Sequence, residues 1–463
     1  MIAGVKAALR AHGFHSFSVA KNGLSLTFTG PAKAVESTFH TGQVRLRGGR
    51  FSNLRTPLLL GPLASIEEIF GLSNGKSVFS HATRMAHRQA VVAHGASTNL
   101  HLKSSPPLTP CVDASSSLAG SGANFPLDFA DHYAFKALYD AQDFGQGVRI
   151  GIQQFESFTP SDIAAYQACL GTSTTVNTFD INGGPNPNDV QLGEAALDIE
   201  VVIGQAPQVT IDVYQAQNDG LSSCDVLSAM VTSNTDQILV TSWGVCENLL
   251  SKTATSANEL LYLEASVQGQ SFVAAAGDDG SQDCTSGAVG VDSPASQPSV
   301  LGVGGTSRVS GADQVWNTYD AAHPEFDKAG GGGISTVSCM AFAQEQSATI
   351  PGIVNSSSVH DSTCNGPTDA PYRRQVPDVS AVATQQLVIP FFTMANGKSS
   401  VERAPPLRFG RQLGHSLMPH CFARVTAQVS LVFKFRFSMR RLVKRGGRCL
   451  PMSPWATTIS TMA

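Results

Sequence analysis

Between residues 148 and 277, short apolar runs alternate with helical patterns, and few folds accommodate that order. The runs are VRIGIQQF (148–155), VTIDVYQA (209–216), QILVTSW (237–243) and SFVAAAG (271–277). Between them fall a helix from Ser161, one through GEAALDIEVVIG (193–204), one from Ser223, and a long one from Thr253 to Gln268. Continuous apolar strands are buried on both faces, and helical crossovers join parallel neighbours. The expected class is therefore α/β, a parallel sheet with helices on both faces. In such sheets the reactive groups collect beyond the carboxyl ends of the strands, which draws attention to SWG (242–244) and AAAGDDG (274–280).

The rest of the chain differs in character. Residues 4–75 read as a small α+β unit: Val5, Ala8 and Leu9 share one helical face, Leu24 to Thr29 alternate as a strand, Ala32 to Phe39 form a second amphipathic helix, and a third helix is expected near Ile66 to Phe70. Residues 76–124 carry Ser and Pro clusters (SSPPLTP, ASSSLAGSG) and His81, His87, His94 and His101 at near-regular spacing, the pattern of an exposed, protease-sensitive linker.

The overall charge of -4 hides a strong asymmetry. Residues 1–75 hold 8 basic and 3 acidic residues, 125–400 hold 8 and 30, and 401–463 hold 11 and 1. A central segment this acidic repels itself at neutral pH and is relieved as its carboxylates protonate, which suits an acidic working environment. It offers nothing to nucleic acid, and no run of 18 apolar residues points to a membrane span. The opening MIAGVKAALRAHGF lacks the long apolar core of a secretory signal, leaving a cytoplasmic chain or a missing true N-terminus. Nine cysteines include no C-x-x-C pair, so zinc and thioredoxin-like chemistry gain no support. Cys224 with Cys246 and Cys339 with Cys364 are candidate disulfides in an exported protein.

Glu194 and Asp198 stand four apart on one helical pattern, so their carboxylates project from the same face and can share a proton. Such a pair titrates as a unit and serves as a base in mildly acidic solution. Exposed helices often carry acids at this spacing; what distinguishes this pair is its company, an aromatic and glycines at one strand end and Asp278 beyond another.

Taken in order, GFHSFSV, LTFTGPAKAVESTFHT, IFGL, GQGVRIGI, GEAALDIEVV, VTSWG, AAAGDDG, SPASQPSVLGVGGTS, GGGGIS and RQVPDVSAVA resemble the sedolisin family, the serine-carboxyl peptidases with a subtilisin-like fold, from residue 4 to about 398. The resemblance implies a pro-kumamolisin-type activation propeptide at 1–75, the linker at 76–124 and a truncated peptidase domain at 125–400. It implies Glu194 as general base, Asp198 as the residue that orients it, and Asp278 as a protonated carboxyl donating into the oxyanion hole. Glu156 and Trp243 match positions that extend the carboxylate network in some members. His132, His323 and His360 are the only histidines from 125 to 400, and none lies in a Ser-His-Asp type of segment. By the same resemblance the protein is secreted, and its partners are a protein or peptide substrate and its own propeptide, with no nucleic acid and no membrane.

One departure is severe. The family's nucleophile lies in a Gly-Thr-Ser motif after an Asn-Gly turn, whereas Asn396-Gly397 is followed here by KSSVERAPPLR. Gly304 to Ser307 also read GGTS but match a strand that follows the oxyanion Asp, which makes Ser307 structural. Residues 400–408, Ser-Val-Glu-Arg-Ala-Pro-Pro-Leu-Arg, can be encoded by TCG GTG GAA CGA GCG CCG CCA CTC CGT. Regrouped from the last base of the first codon, those bases read Gly-Gly-Thr-Ser-Ala-Ala-Thr-Pro, the missing motif. A frame change near Lys398 then makes 401–463 an out-of-frame basic tail, catalytically incomplete and without a cofactor; the calcium site that the resemblance implies near the C-terminus has no counterpart in it. Two functions follow: an acid endopeptidase inactive as written, or a non-catalytic peptide-binding pseudopeptidase.

Overall fold

The structure, a computed structural model, describes residues 2–46, 50–66, 68–73, 79–80, 130–186, 193–284, 288–309, 312–317, 328–340, 358, 361, 364, 372–383, 391–395 and 398–402. Most of the 76–124 segment, and the tail beyond 402, lie outside these residues.

The first unit holds α1 (Ile2–Ala11), the antiparallel pair β1 (His15–Val19) and β2 (Leu26–Thr29), α2 (Ala32–Phe39), and the antiparallel pair β3 (Gln43–Arg45) and β4 (Phe51–Asn53). Val5 and Leu9, one helical turn apart on α1, meet Phe14, Ala34, Phe39 and Leu63 in a separate apolar cluster. The Phe14 ring meets Phe28 edge-on at 5.1 Å. It lies so close to Gly30 that an added Cβ would sit 2.3 Å from it, so this strand end requires glycine. The helix expected near Ile66 to Phe70 is replaced by a 3-10 turn at Gly61–Ser65, after which Ile66 is extended. Ile66 and Ile69 pack back on the unit's core while Phe70 is directed elsewhere, an arrangement of extended chain.

Beyond this unit come β5 (Phe79–Ser80), α3 (Lys136–Asp140), β6 (Arg149–Gln154), α4 (Pro160–Leu170), β7 (Thr175–Asp180), α5 (Glu194–Gln205), β8 (Thr210–Gln215), α6 (Gly220–Ser233), β9 (Ile238–Thr241), β10 (Trp243–Cys246), α7 (Lys252–Gln268), β11 (Ser271–Ala275) and β12 (Asp292–Ser293). They are followed by β13 (Leu301–Val309), β14 (Ala312–Val315), β15 (Gly333–Cys339), β16 (Arg373–Val376), β17 (Val379–Val382), β18 (Phe391–Ala395) and β19 (Lys398–Glu402). The main sheet runs β14-β13-β11-β9-β6-β8-β7, with β17 also on β13. All its pairings are parallel except β13 with β14. From β6 the chain crosses to β7, returns to β8, and then resumes at β9 on the other side of β6. That reversal beside β6 opens a crevice at the strands' carboxyl ends. Ile150, Ile152, Ile211, Val213 and Val240 are all within 2% of full burial, as two-sided strands require.

Two polar devices support this sheet. Arg374 forms a bidentate pair with Asp378 (Nη1 to Oδ1 2.5 Å, Nη2 to Oδ2 2.6 Å) and donates to the Val300 carbonyl at 2.9 Å, while Asp378 Oδ2 accepts from the Gly302 amide at 2.7 Å. The PDVSA turn is thus tied to β13. Removing one partner of a buried pair strands the other charge, so Arg374→Ala should cost about 3–5 kcal/mol in denaturant unfolding.

At the amino ends of β6 and β9, Arg149 pairs with Asp212, its Nε lies 3.6 Å from Asp236, and the Tyr214 hydroxyl donates to Asp236 at 2.8 Å. Burial, together with the neighbouring Asp212 carboxyl, pushes Asp236 up to about 7. Burial likewise pushes Glu259 up to about 7, against the Ser299 hydroxyl that donates to it at 2.6 Å. Both groups keep in the folded chain a proton that the unfolded chain gives up near its ordinary pKa. Stability is therefore present in acid, and falls as pH rises from the unfolded toward the folded value, by about 1.4 kcal/mol per pH unit for each proton so held. Thermal melts should show the midpoint dropping between about pH 4 and about pH 7, and Asp236→Asn with Glu259→Gln should flatten that slope. An unchanged slope in the double variant would remove these two groups as its cause.

Candidate active site

Helix α5 begins after Gly193, whose φ of +88° suits glycine at the cap position. Gly193 has no side chain to cap the helix, and the Ala195 amide instead donates to Glu156 Oε1 at 2.9 Å. Glu156 thus plays the capping part from the loop after β6, and a carboxylate there is favoured by the helix dipole. The whole of α5 is buried, including Glu194 and Asp198 at 0% exposure. These two residues occupy the first and second turns, as their spacing requires.

Asp198 is held on both oxygens. Gln154 Nε2 donates to Oδ2 at 2.6 Å and the Ser242 hydroxyl to Oδ1 at 2.9 Å. Gln154 ends β6 and Ser242 follows β9, so the carboxylate is pinned where two adjacent parallel strands finish. Trp243 Nε1 donates to Gln154 Oε1 at 2.9 Å and its ring meets Phe155 edge-on at 5.4 Å. A relay therefore runs from Trp243 through Gln154 to Asp198. Gln154 and Ser242 were not singled out from the sequence; the signal was a polar residue closing an otherwise apolar strand run.

Asp278, 2% exposed, follows β11, whose Ala274 is in register with Thr241 of β9. It therefore emerges at the same sheet edge as Ser242. Its turn is organised by Asp283, whose Oδ1 accepts the amides of Asp278 (3.1 Å) and Asp279 (2.9 Å). Gly277 (φ +111°) makes room, because a Cβ there would collide with the Asp283 carboxyl at 2.2 Å. Burial and the Asp292 charge, with smaller effects of Asp278 and Asp279, push Asp283 up to about 8. That shift belongs to Asp283, the residue that organises the turn carrying Asp278.

Other sequence candidates fall elsewhere. Ser307 is inside β13, opposite Gln314 of β14. Ser335, the last residue of the GGGGIS segment and not itself a sequence candidate, is buried, donates to Glu247 Oε2 at 2.6 Å and accepts the Ser338 amide at 2.7 Å, a structural hub. His132 lies 3.2 Å from Asp313, on the far strand β14; His323 and His360 lie outside the described residues. Cys246 is bonded to Cys284 rather than to Cys224, because the end of β10 faces the turn after β11 (Cα to Cα 4.9 Å) while Cys224 is a free thiol on α6. Cys339 does bond Cys364. The tail, where the resemblance puts calcium, is outside the described residues.

Residues 79–80 form β5, which pairs antiparallel with β10, Ser80 in register with Trp243 and Phe79 with Gly244. Extended chain from the N-terminal side is therefore laid along the strand that carries the relay tryptophan.

No family model matches the chain. Kumamolisin of Bacillus sp. (strain MN-32) is 28% identical over 393 residues, covering 81% of this chain and 66% of that protein. Xanthomonalisin of Xanthomonas sp. (strain T-22) is 28% identical over 357 residues, 68% of this chain and 41% of that protein. Sedolisin of Pseudomonas sp. (strain 101) is 25% identical over 361 residues, 72% and 57%. The chain thus spans between 41% and 66% of the length of these relatives. A solved structure of Pseudomonas sedolisin, a serine-carboxyl proteinase complexed with two molecules of pseudo-iodotyrostatin, matches with a TM-score of 0.51 at 20% identity over 69% of this chain and 82% of that one, which shows the shared fold. The chain is thus similar in sequence, at 25–28% identity, to three proteins of the sedolisin type, and its α/β sheet shares the fold of the sedolisin structure.

Proposed function

We propose that the chain carries the carboxylate apparatus of an acid-acting serine-carboxyl endopeptidase whose nucleophile has been lost to a frame change near Lys398. The observation that carries this reading is the buried Asp198 held by Gln154 and Ser242 one turn from Glu194. A carboxylate fixed on both oxygens cannot swing away, so it orients and tunes its neighbour. Glu194 then takes the proton of a serine hydroxyl as it attacks the peptide carbonyl, and returns it to the leaving amine as the acyl-enzyme forms. Asp278, kept protonated, donates to the developing oxyanion where other serine peptidases use an amide. The shape of the site around Asp283 supports that role, since it makes ionisation of clustered carboxyls costly. The need for a protonated Asp278 restricts the chemistry to acid, while the need for an ionised Glu194 sets its lower pH limit.

The hairpin of β18 and β19 bears on where the serine would stand. Its strands pair from Phe391–Ala395 to Lys398–Glu402, and β18 runs beside α4 and α5, the latter bearing Glu194. A Gly-Thr-Ser motif would continue from β19, the partner of β18; instead the chain goes on to Arg403 and two prolines. Residues 1–75 act as the activation propeptide and 76–124 as its linker to the peptidase domain at 125–400, with β5 occupying β10 as an extended peptide would. Disulfides at Cys246–Cys284 and Cys339–Cys364 suit secretion into an oxidising space. The pseudopeptidase reading draws on β5 as well, because strand addition to β10 needs no serine.

In a chain with the Gly-Thr-Ser motif restored, Glu194→Ala should lower hydrolysis of a protein substrate in acid by about 10²–10⁴-fold, and Asp198→Asn similarly, with circular dichroism unchanged. Retention of the parent rate by either variant would take that carboxylate out of the mechanism.

A further inference from the structure

The amino ends of β6 and β9 carry a buried polar cluster that the proposed chemistry, gathered at the carboxyl ends, does not use. Arg149 enters it from β6, Asn177 from β7, Asp212 and Tyr214 from β8, Ser233 from the end of α6, and Thr235 and Asp236 from the turn before β9. From the side of β11, Gln270 donates to the main-chain oxygen of Asp236 at 3.0 Å. Both aspartate side chains are shut off from water, while Arg149 is 37% exposed and is the one cation facing them among the described residues. Gly151 leaves room for them, since an added Cβ would be 3.2 Å from Asp236 Oδ2. Asp212 accepts on both oxygens, from Asn177 Nδ2 at 2.7 Å and from the Arg149 guanidinium. Asp236 accepts on Oδ2, from the Tyr214 hydroxyl at 2.8 Å and from Thr235 at 3.3 Å. Its Oδ1 receives no hydrogen bond from a donor among the described residues and lies 3.6 Å from Arg149 Nε. Yet the two carboxyl groups meet in a hydrogen bond. Two ionised carboxylates offer each other only acceptors, so such a bond requires a proton on one of them. The oxygen with no other donor, Asp236 Oδ1, is the one left to carry it.

We propose that Asp212 and Asp236 share one proton, and that this proton is the latch of a pH-sensitive clamp that ties the amino ends of β6 and β9 to β8 in acid and lets them part as the solution approaches neutrality. With the proton in place, one carboxylate, one carboxyl and one guanidinium form a neutral, hydrogen-bonded set. Without it, two buried negative charges face a single positive one, and like charges this close disfavour each other. Burial, with Asp212 beside it, pushes Asp236 up to about 7, whereas an exposed aspartate gives up its proton near about pH 4. The closed clamp therefore keeps a proton that the open one releases. Opening becomes easier by about tenfold per pH unit from about pH 4 to about pH 7 and levels off above that. The clamp stands apart from the peptidase reading, because it lies at the other ends of the strands from Asp198.

Hydrogen exchange of the full chain, read by mass spectrometry and corrected for the intrinsic effect of pH, tests the clamp. The amides of Thr210, Gln237 and Ser271, which donate to the carbonyls of Val148, Arg149 and Gln237, report on the amino ends, and that of Ala216, which donates to Gln154, reports on the carboxyl ends. In the parent chain, protection of the first three should fall by about tenfold per pH unit between about pH 5 and about pH 7. Asp236→Asn puts a permanent donor where the shared proton stood, so it should abolish that slope and leave Ala216 as it was. Tyr214→Phe removes a donor that favours the ionised form of Asp236, so its slope should run on to higher pH; this variant keeps the test readable if the first fails to fold. Protection at the three amides that does not change with pH in the parent, a slope that survives Asp236→Asn, or an equal loss of slope at Ala216 would each overturn the clamp.

Discussion

Two hydrogen bonds to one buried carboxylate hold the site together. Asp198 has no exposure to water, and the cost of burying its polar oxygens is offset by Gln154 and Ser242, which donate to both of them. Those donors stand at the ends of β6 and β9, the strands beside which the sheet order reverses. Helix α5 is thereby locked to the crevice at one depth and one rotation, and Glu194, on the preceding turn, takes its place from that lock. Trp243 secures Gln154 in turn, so the strand that receives extended chain and the helix that carries Glu194 are mechanically one piece.

A second constraint is where protons are kept. Asp236, Glu259 and Asp283 lie in three separate places, yet each is pushed up to about 7 or 8 with burial as the first cause. With 30 acidic and 8 basic residues from 125 to 400, there are few cations to offset that burial. The same scarcity that makes neutral solution costly for the fold fits the proposal that Asp278 acts as a protonated acid. Stability and the proposed chemistry therefore depend on pH in the same direction.

Much of this was legible in the sequence, and the exceptions have physical causes. Helix α2 occupies Ala32–Phe39 as its apolar spacing requires, and all four apolar runs became β6, β8, β9 and β11. Strand β7 escaped notice because TVNTFD sits at the sheet edge with most of its residues partly or fully exposed, where no apolar pattern is needed. The expected helix near Ile66 to Phe70 was a matter of period: apolar residues at 66, 69 and 70 fit a helical face, but they serve two different cores from extended chain. Helical spacing showed that Glu194 and Asp198 share a face. It carried no information about Gln154 and Ser242, which lie 44 residues from Asp198 on either side and meet it only through the parallel sheet. Cysteine pairing failed for the same reason at Cys224, which spacing set against Cys246 and the fold left as a free thiol on α6.

The central claim is that a complete carboxylate site stands beside a nucleophile segment written in the wrong frame. Reading the nucleotides of codons 400–408 tests it most directly. The account predicts bases that spell Gly-Gly-Thr-Ser-Ala-Ala-Thr-Pro when regrouped from the last base of codon 400. Codons that give no such motif in any frame would contradict it and leave the basic tail as the chain's own sequence.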